Sequence, residues 1–197
     1  MANQKVNISR WFSMRVAIAA LLIGCMATKC KKEAAPNPPP TPADTTFAKG
    51  ADVGWLTEME AAGVKFYNST GTQTECIALL KSLGMNSIRL RVWVNPPAGW
   101  NNAADVVAKA VRAKNLGMRV MIDFHYSDDW ADPSKQYKPA AWRGLGFTEL
   151  KKAMYDYTRQ VIQELKDQGT TPDMVQIGNE INHGIIWPEG KVSNLDQ

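Results

Sequence analysis

Two tripeptides constrain the fold of this chain more than any other feature. Leu83-Gly84-Met85 and Leu116-Gly117-Met118 lie 33 residues apart, and each joins the end of a helical periodicity to the start of an apolar run. Glycine just past a periodic stretch marks a helix stop. Its recurrence at fixed spacing implies strand–helix units, whose strands must lie parallel. The remaining signals follow the same beat. Ala51–Val53, Ser87–Val94, Arg119–Phe124 and Met174–Gly178 read as strands 1 to 4. Between them, Thr72-x-x-Glu75 has the form of a capping box before a helix bearing Ile77, Leu80 and Leu83 on one face. Asn102 is placed to cap a second helix with Val106, Val107, Ala110 and Val111 toward the sheet, and Leu150, Met154, Tyr157, Val161 and Leu165 mark a third that ends at Gly169.

The strands are apolar through most of their length, as expected where helices cover a parallel sheet. Their polar exceptions cluster near the C-terminal ends: Asp52, Arg89, Arg91, His125, Asn179 and Glu180. Inert middles and chemistry at one rim are the pattern of a (β/α)8 TIM barrel. A doubly wound sheet is disfavoured because no glycine-rich phosphate loop follows the first strand. A complete barrel takes about 250 residues and eight strands. The expectation is therefore a barrel truncated after about four βα units, with apolar, unpaired edges on its first and last strands.

The 197 residues divide into three expected segments. Residues 1–25 read as a lipoprotein signal peptide, with Lys5, Arg10 and Arg15 before the apolar run Val16–Gly24. Leu22-Ile23-Gly24-Cys25 resembles a lipobox, which makes Cys25 the expected lipidation site; Cys30 follows a lysine where a small residue is wanted. The run is too short for a permanent membrane span of about 20 residues. Residues 26–46, rich in proline, form an extended tether, and residues 47–197 form the domain. The formal charge of +4 belongs to the leader, where Lys5, Arg10, Arg15, Lys29, Lys31 and Lys32 face only Glu33; residues 34–197 carry −1. No basic face is left for nucleic acid. Cys76, among Ile77, Leu79 and Leu80, reads as a buried, inert thiol, and the cysteines supply no disulfide framework.

Asp173–Ile181 carries the chemistry. A short apolar strand delivers Asn179-Glu180 to its C-terminal end. Glycoside hydrolysis requires a carboxylic acid to protonate the leaving oxygen and a second carboxylate as nucleophile or base. Glu180 suits the acid role, and the apolar segment after it is expected to enclose it. Arg89 and Arg91 share one strand face, where each needs an anion. His125, at a strand end, has the position to donate to a sugar hydroxyl or to orient a carboxylate. His183 reads as a surface-loop residue. The two histidines have no clustered carboxylates at ligand spacing, so no metal site is expected. Trp93, Trp130, Trp142 and Trp187 fall at or beyond strand ends, where indole faces suit the apolar faces of pyranose rings.

In order and spacing, five segments resemble glycoside hydrolase family 53, the arabinogalactan endo-β-1,4-galactanases. They are Gly50–Val53, Asn86–Pro96, Asp123–Pro133 with its Trp130-Ala131-Asp132-Pro133, Gln176–Ile181, and Gly184–Pro188. The resemblance implies a retaining barrel enzyme of clan A that cuts internal bonds of β-1,4-galactan, a polysaccharide substrate, without a cofactor. It makes Glu180 the acid/base, Asn179 the partner of the sugar 2-hydroxyl, and Arg89 and His125 polar supports of the site. Asp52, Arg91, Trp93, Trp130, Asp132 and Trp187 are expected to bind substrate. The family takes its nucleophile from the seventh strand, and calcium in some bacterial relatives is also bound late in the barrel; neither has a counterpart among these residues. The chain is thus expected to be incomplete and inactive by itself, exported, and attached to a bacterial membrane only by lipid. The alternatives are a non-catalytic galactan-binding lipoprotein and another clan A glycanase, the latter opposed by the Trp130–Pro133 segment.

Overall fold

The computed structural model describes residues 46–194. The expected signal peptide, the lipobox with Cys25 and all of the tether but Thr46 lie outside the described residues. In chain order the elements are β1 (Gly50–Asp52), α1 (Leu56–Ala61), α2 (Cys76–Ser82), β2 (Ser87–Val92), α3 (Ala103–Asn115), β3 (Arg119–Phe124), α4 (Phe147–Asp167), β4 (Met174–Ile177), β5 (Gly184–Ile185) and β6 (Gly190–Lys191). Strands β1 to β4 form one parallel sheet in sequential order, and β5 and β6 a small antiparallel ribbon. Sequential parallel strands with helical crossovers are the units of a (β/α)8 barrel. Among the described residues β1 pairs only with β2 and β4 only with β3.

The repeated tripeptides have a local cause. After α2 the Gly84 N–H bonds Lys81 O at 3.0 Å and Met85 N–H bonds Leu80 O at 3.1 Å; after α3 Gly117 N–H bonds Lys114 O at 2.8 Å and Met118 N–H bonds Ala113 O at 3.0 Å. These are Schellman caps, which require a left-handed residue at the helix exit, and Gly84 and Gly117 have φ of 90° and 66°. Each cap turns the chain directly into the next strand.

Ile88, Leu90 and Val92 of β2 and Val120, Ile122 and Phe124 of β3 are fully buried toward the helices, against Ile77, Val106, Ala110, Ala113, Val161 and Leu165. Burying one such aliphatic side chain stabilises by about 1.5–3 kcal/mol. On β4 the equivalent positions, Val175 and Ile177, are exposed.

Several expectations are corrected. Helix α1 carries no sequence signal strong enough to have been foreseen. The cap of α2 is Glu75 rather than Thr72, for the Glu75 carboxylate accepts the Ala78 N–H at 2.6 Å. Thr72 instead closes a turn on Asn68. Leu83, expected on the buried face, is exposed because it is the cap residue at the helix exit. Asn102 does cap α3, accepting from Asp105 N at 2.9 Å. The inward stripe of that helix, however, is Val106, Lys109, Ala110 and Ala113. Cys76 is half-buried. Burial, then the Glu75 and Glu60 carboxylates, push its thiol pKa above the ordinary value, so the thiol stays protonated.

Candidate active site

Parallel register assembles the site row by row. Asp52 lies opposite Arg89; one residue pair further along, Arg91 lies opposite Asp123, which lies opposite Gln176. Alternation places this set on the face away from the helices.

Arg89 is the hub. One guanidinium nitrogen donates to Asp52 Oδ2 at 2.7 Å, and the other to Asp123 Oδ2 at 2.6 Å, Asn179 Oδ1 at 2.9 Å and Gln176 Oε1 at 3.3 Å. Its anions are thus Asp52 and Asp123, not Glu180. Arg91 is almost wholly buried. It reaches Asp52 Oδ1 at 3.3 Å and is packed among three indoles, with Trp130 at 4.3 Å, Trp55 at 4.9 Å and Trp93 at 5.3 Å from ring centroid to guanidinium carbon. Burial lowers its pKa and Asp52 opposes the shift, yet a guanidinium remains charged at any physiological pH. Cation–π contact with the indoles replaces part of the lost hydration.

His125 is enclosed. Its Nδ1 accepts from Trp93 Nε1 and from Ala131 N, both at 3.2 Å, so the ring proton resides on Nε2, which donates to Asp123 Oδ2 at 3.0 Å. Of the two roles expected for His125, donation to a sugar is thereby blocked and orientation of a carboxylate remains. That carboxylate, Asp123, is fully buried and was not singled out from sequence. Its signal was the shared strand face with His125, two residues on.

Asn179, two residues beyond β4, has both amide atoms engaged: Oδ1 accepts from Arg89 and, at 3.4 Å, from Gln176 Nε2, and Nδ2 donates to Ala131 O at 2.8 Å. Gln136, buried and also unforeseen, fixes the backbone there by donating to Asn179 O at 2.8 Å. Glu180 follows with φ of 50°, a left-handed conformation that costs a non-glycine residue about 1 kcal/mol or more. Its side chain is exposed and has no hydrogen bond or ion pair among the described residues. The apolar segment after it does not enclose it, because Ile181 is itself exposed.

The tryptophans divide. Trp130 is half-exposed at the rim and meets Trp55 and Trp93 edge-on at 5.7 and 5.9 Å. Trp93 is buried as a wall, its N–H spent on His125. Trp142 packs in the core against Tyr126 and Tyr157, so its expected rim role is corrected. Trp187 is half-buried, donates to His183 O at 3.0 Å, and has Lys191 Nζ 4.8 Å from its ring centroid. Trp55, missed from sequence, is the most exposed indole of the group. Asp132, expected against substrate, organises its own turn: Oδ1 accepts from Ser134 N, Ser134 Oγ and Lys135 N. His183 is exposed, and among the described residues no group of three or more His, Cys, Asp or Glu has the arrangement to hold a metal.

A clamped amide followed by a free carboxylate at the end of a parallel strand, with arginine and tryptophan around it, matches one half of the two-carboxylate arrangement that barrel glycosidases use. The comparisons carry this to a family. A model of glycosyl hydrolase family 53 matches residues 48–197, and the chain belongs to that family. It is 44% identical over 150 residues to an uncharacterised protein encoded 5′ of bgaB in Niallia circulans, covering 76% of this chain and 41% of that one. It is 42% identical over 146 residues to the endo-β-1,4-galactanase of Bacillus subtilis, covering 70% and 34%. Among solved structures, one reported with two fungal β-1,4-galactanases superposes with a TM-score of 0.73 at 40% identity, covering 75% of this chain and 44% of that one. The family 53 catalytic domain of Ignisphaera aggregans gives 0.72 at 41%, covering 80% and 45%. The chain spans less than half the length of these relatives.

Proposed function

We propose that the chain is the acid/base-bearing part of an endo-β-1,4-galactanase that cleaves β-1,4-galactan with retention of configuration. The observation that carries this is the pairing at the end of β4: Asn179, held by Arg89 and Ala131, beside the unpartnered Glu180. In this reading Glu180 protonates the departing glycosidic oxygen and later deprotonates the incoming water, while the remaining Asn179 N–H holds a substrate hydroxyl. Asp52 and Asp123 are both bound to Arg89, which leaves neither free to attack the anomeric carbon. The family resemblance implies a nucleophile from the seventh strand of the barrel, about 5 Å from Glu180 as retention demands. No cofactor enters this chemistry. The names of the relatives support galactan as substrate. The leader supports export and a lipid anchor at Cys25, giving a periplasmic or surface location.

The test uses the gene with whatever reading frame follows Gln197. Its product should release galacto-oligosaccharides from β-1,4-galactan, with β-anomers first in proton NMR of early digests. First-formed α-product would overturn retention, and unaltered galactan would overturn the activity. Glu180→Gln should slow natural substrate severely and an activated aryl galactoside far less in its first step.

A further inference from the structure

We propose that Asp123 is the positioning residue of this site, acting through Arg89 to decide which atom of Asn179 faces the cleft. Its two carboxylate oxygens are used unequally. Oδ2 accepts from Arg89 at 2.6 Å and from His125 Nε2 at 3.0 Å, while Oδ1 is buried without a hydrogen-bond partner. A carboxylate kept for stability would spread its donors over both oxygens, since an orphaned buried acceptor is a net cost. Here both donors converge on one oxygen, and the convergence fixes the fork of Arg89.

The consequence falls on Asn179. The same Arg89 nitrogen that binds Asp123 also donates to Asn179 Oδ1, and Ala131 O accepts from Asn179 Nδ2. Only one of the two amide orientations satisfies a donor on one side and an acceptor on the other. While Arg89 stays in place, Asn179 therefore presents an N–H and not a carbonyl to a ligand. Without Asp123 the one anion left to Arg89 at this site is Asp52, bound through the other nitrogen. The guanidinium then turns toward Asp52, Asn179 Oδ1 keeps only the longer N–H of Gln176 at 3.4 Å, and the amide is held less firmly against a flip. Asp123 touches neither ligand nor reacting atoms in this account; it works one residue removed. The proposal concerns the amide itself and does not depend on galactan being the substrate.

The experiment is proton exchange with water at Asn179 Nδ2, measured by NMR saturation transfer on the isotope-labelled 197-residue chain and its Asp123→Ala and Asp123→Asn variants. Asp123→Ala should speed that exchange about tenfold, the equivalent of one lost charge-assisted hydrogen bond. Asp123→Asn keeps an acceptor but not the charge, and should give an intermediate rise of about threefold. The backbone amides of Ile122 and Phe124 should keep their protection in both. Asn179 exchange within about twofold of the parent in Asp123→Ala would overturn the proposal. So would an equal rise at Ile122 and Phe124, which would show general loosening of β3. Should Asp123→Ala not fold, Asp123→Asn decides alone, and an unchanged Asn179 signal there is the refuting result. No sugar enters the measurement, so its failure is distinguishable from failure of the galactanase reading.

Discussion

Lys109 is fully buried on the inward face of α3, and replacing it with methionine offers the sharpest test of how the rim loops are held. Its ammonium donates to Gly54 O at 2.7 Å, Asp105 Oδ2 at 2.7 Å and Asn101 Oδ1 at 3.1 Å. It thus ties the loop after β1 to the loop before α3, and a β-carbon at Gly54 would lie 2.6 Å from the Arg91 guanidinium. Lys109→Met preserves length and apolar bulk but strands these acceptors. Removing one partner of a buried ion pair costs about 3–5 kcal/mol. The low end applies, because Asp105 keeps the Asn101 N–H at 2.6 Å and its side chain is 11% exposed. A loss of about 3 kcal/mol in a domain of this size lowers Tm by about 10 °C. Adding Asp105→Asn removes the orphaned charge and should restore roughly half of the loss. Thermal and urea unfolding of the two variants measure both values. A loss below about 1 kcal/mol, or a double variant whose losses simply add, would refute the coupling. Burial pulls the Lys109 pKa below 10.5 against the pull of Asp105, so the unfolded state binds the proton more tightly. The parent should therefore gain stability relative to Lys109→Met as pH rises toward 10.5.

Glu75→Ala should cost about 1 kcal/mol as a lost helix cap, whereas Thr72→Ala should be nearly silent; equal losses would return the cap to Thr72. Burial raises the Glu75 pKa, but the Ala78 and Ile77 N–H groups and Arg112 outweigh it and leave it below 4.5. Its contribution should thus be present above that pH and fade as acid unfolding is followed below it. Tyr157 and Tyr126 have pKa values raised by burial, so stability should be lost as pH climbs above 10.0, with the phenolate absorbance of these two rings appearing only on unfolding. With the exposed Tyr67, Tyr137 and Tyr155 replaced by phenylalanine, phenolate forming in the intact fold would contradict this. Cys25→Ser should release the protein from membranes and abolish fatty-acid labelling; labelling that vanishes only in Cys30→Ser would move the site. Residues 47–197 alone should release nothing from β-1,4-galactan, since Asp52 and Asp123 are held by Arg89, Asp128 by loop amides and Asp132 by its own turn. Release that depends on Glu180 would mean that a nucleophile exists within these residues, with exposed Asp129 the first to substitute.

What was legible in the sequence is what depends on neighbours in the chain. β3 runs over Arg119–Phe124 as its apolar run indicates, and β2 and β4 differ from expectation only at their C-terminal ends. The glycine exits, the Asn102 cap and the stripe of α4 are likewise decided within a few residues. Lys109 falls on its helix's apolar stripe, three residues after Val106, and was passed over because a charge there ordinarily points to water. Asp105 lies four residues before it, but the acceptor that ties the helix to the loop after β1, Gly54 O, is 55 residues away, and no local pattern announces it. The same holds for Trp142, whose place at the end of a loop suggested a rim while tertiary packing put it in the core.

The candidate site repeats this division at higher stakes. Asn179 and Glu180 were visible because a strand presents them in sequence, but their geometry is set by Arg89, 90 residues before Asn179, and by Asp123 beside it. Within the sheet two acids, Asp52 and Asp123, offset two arginines, Arg89 and Arg91, and His125 carries its proton toward one of those acids. This balance lets charges lie against apolar strands and indoles without an uncompensated ion. It also turns the charged groups of Asp52, Arg89 and Asp123 toward one another, and the atoms left over on Arg91 and Asp123 are buried away from a ligand. Two groups stand apart: the second N–H of Asn179 and the carboxylate of Glu180, the latter on a backbone held at positive φ. Strain of this kind persists only where the surroundings over-determine it. Gln136, which ties down Asn179 O at 2.8 Å immediately before the strained residue, is the contact that over-determines it here.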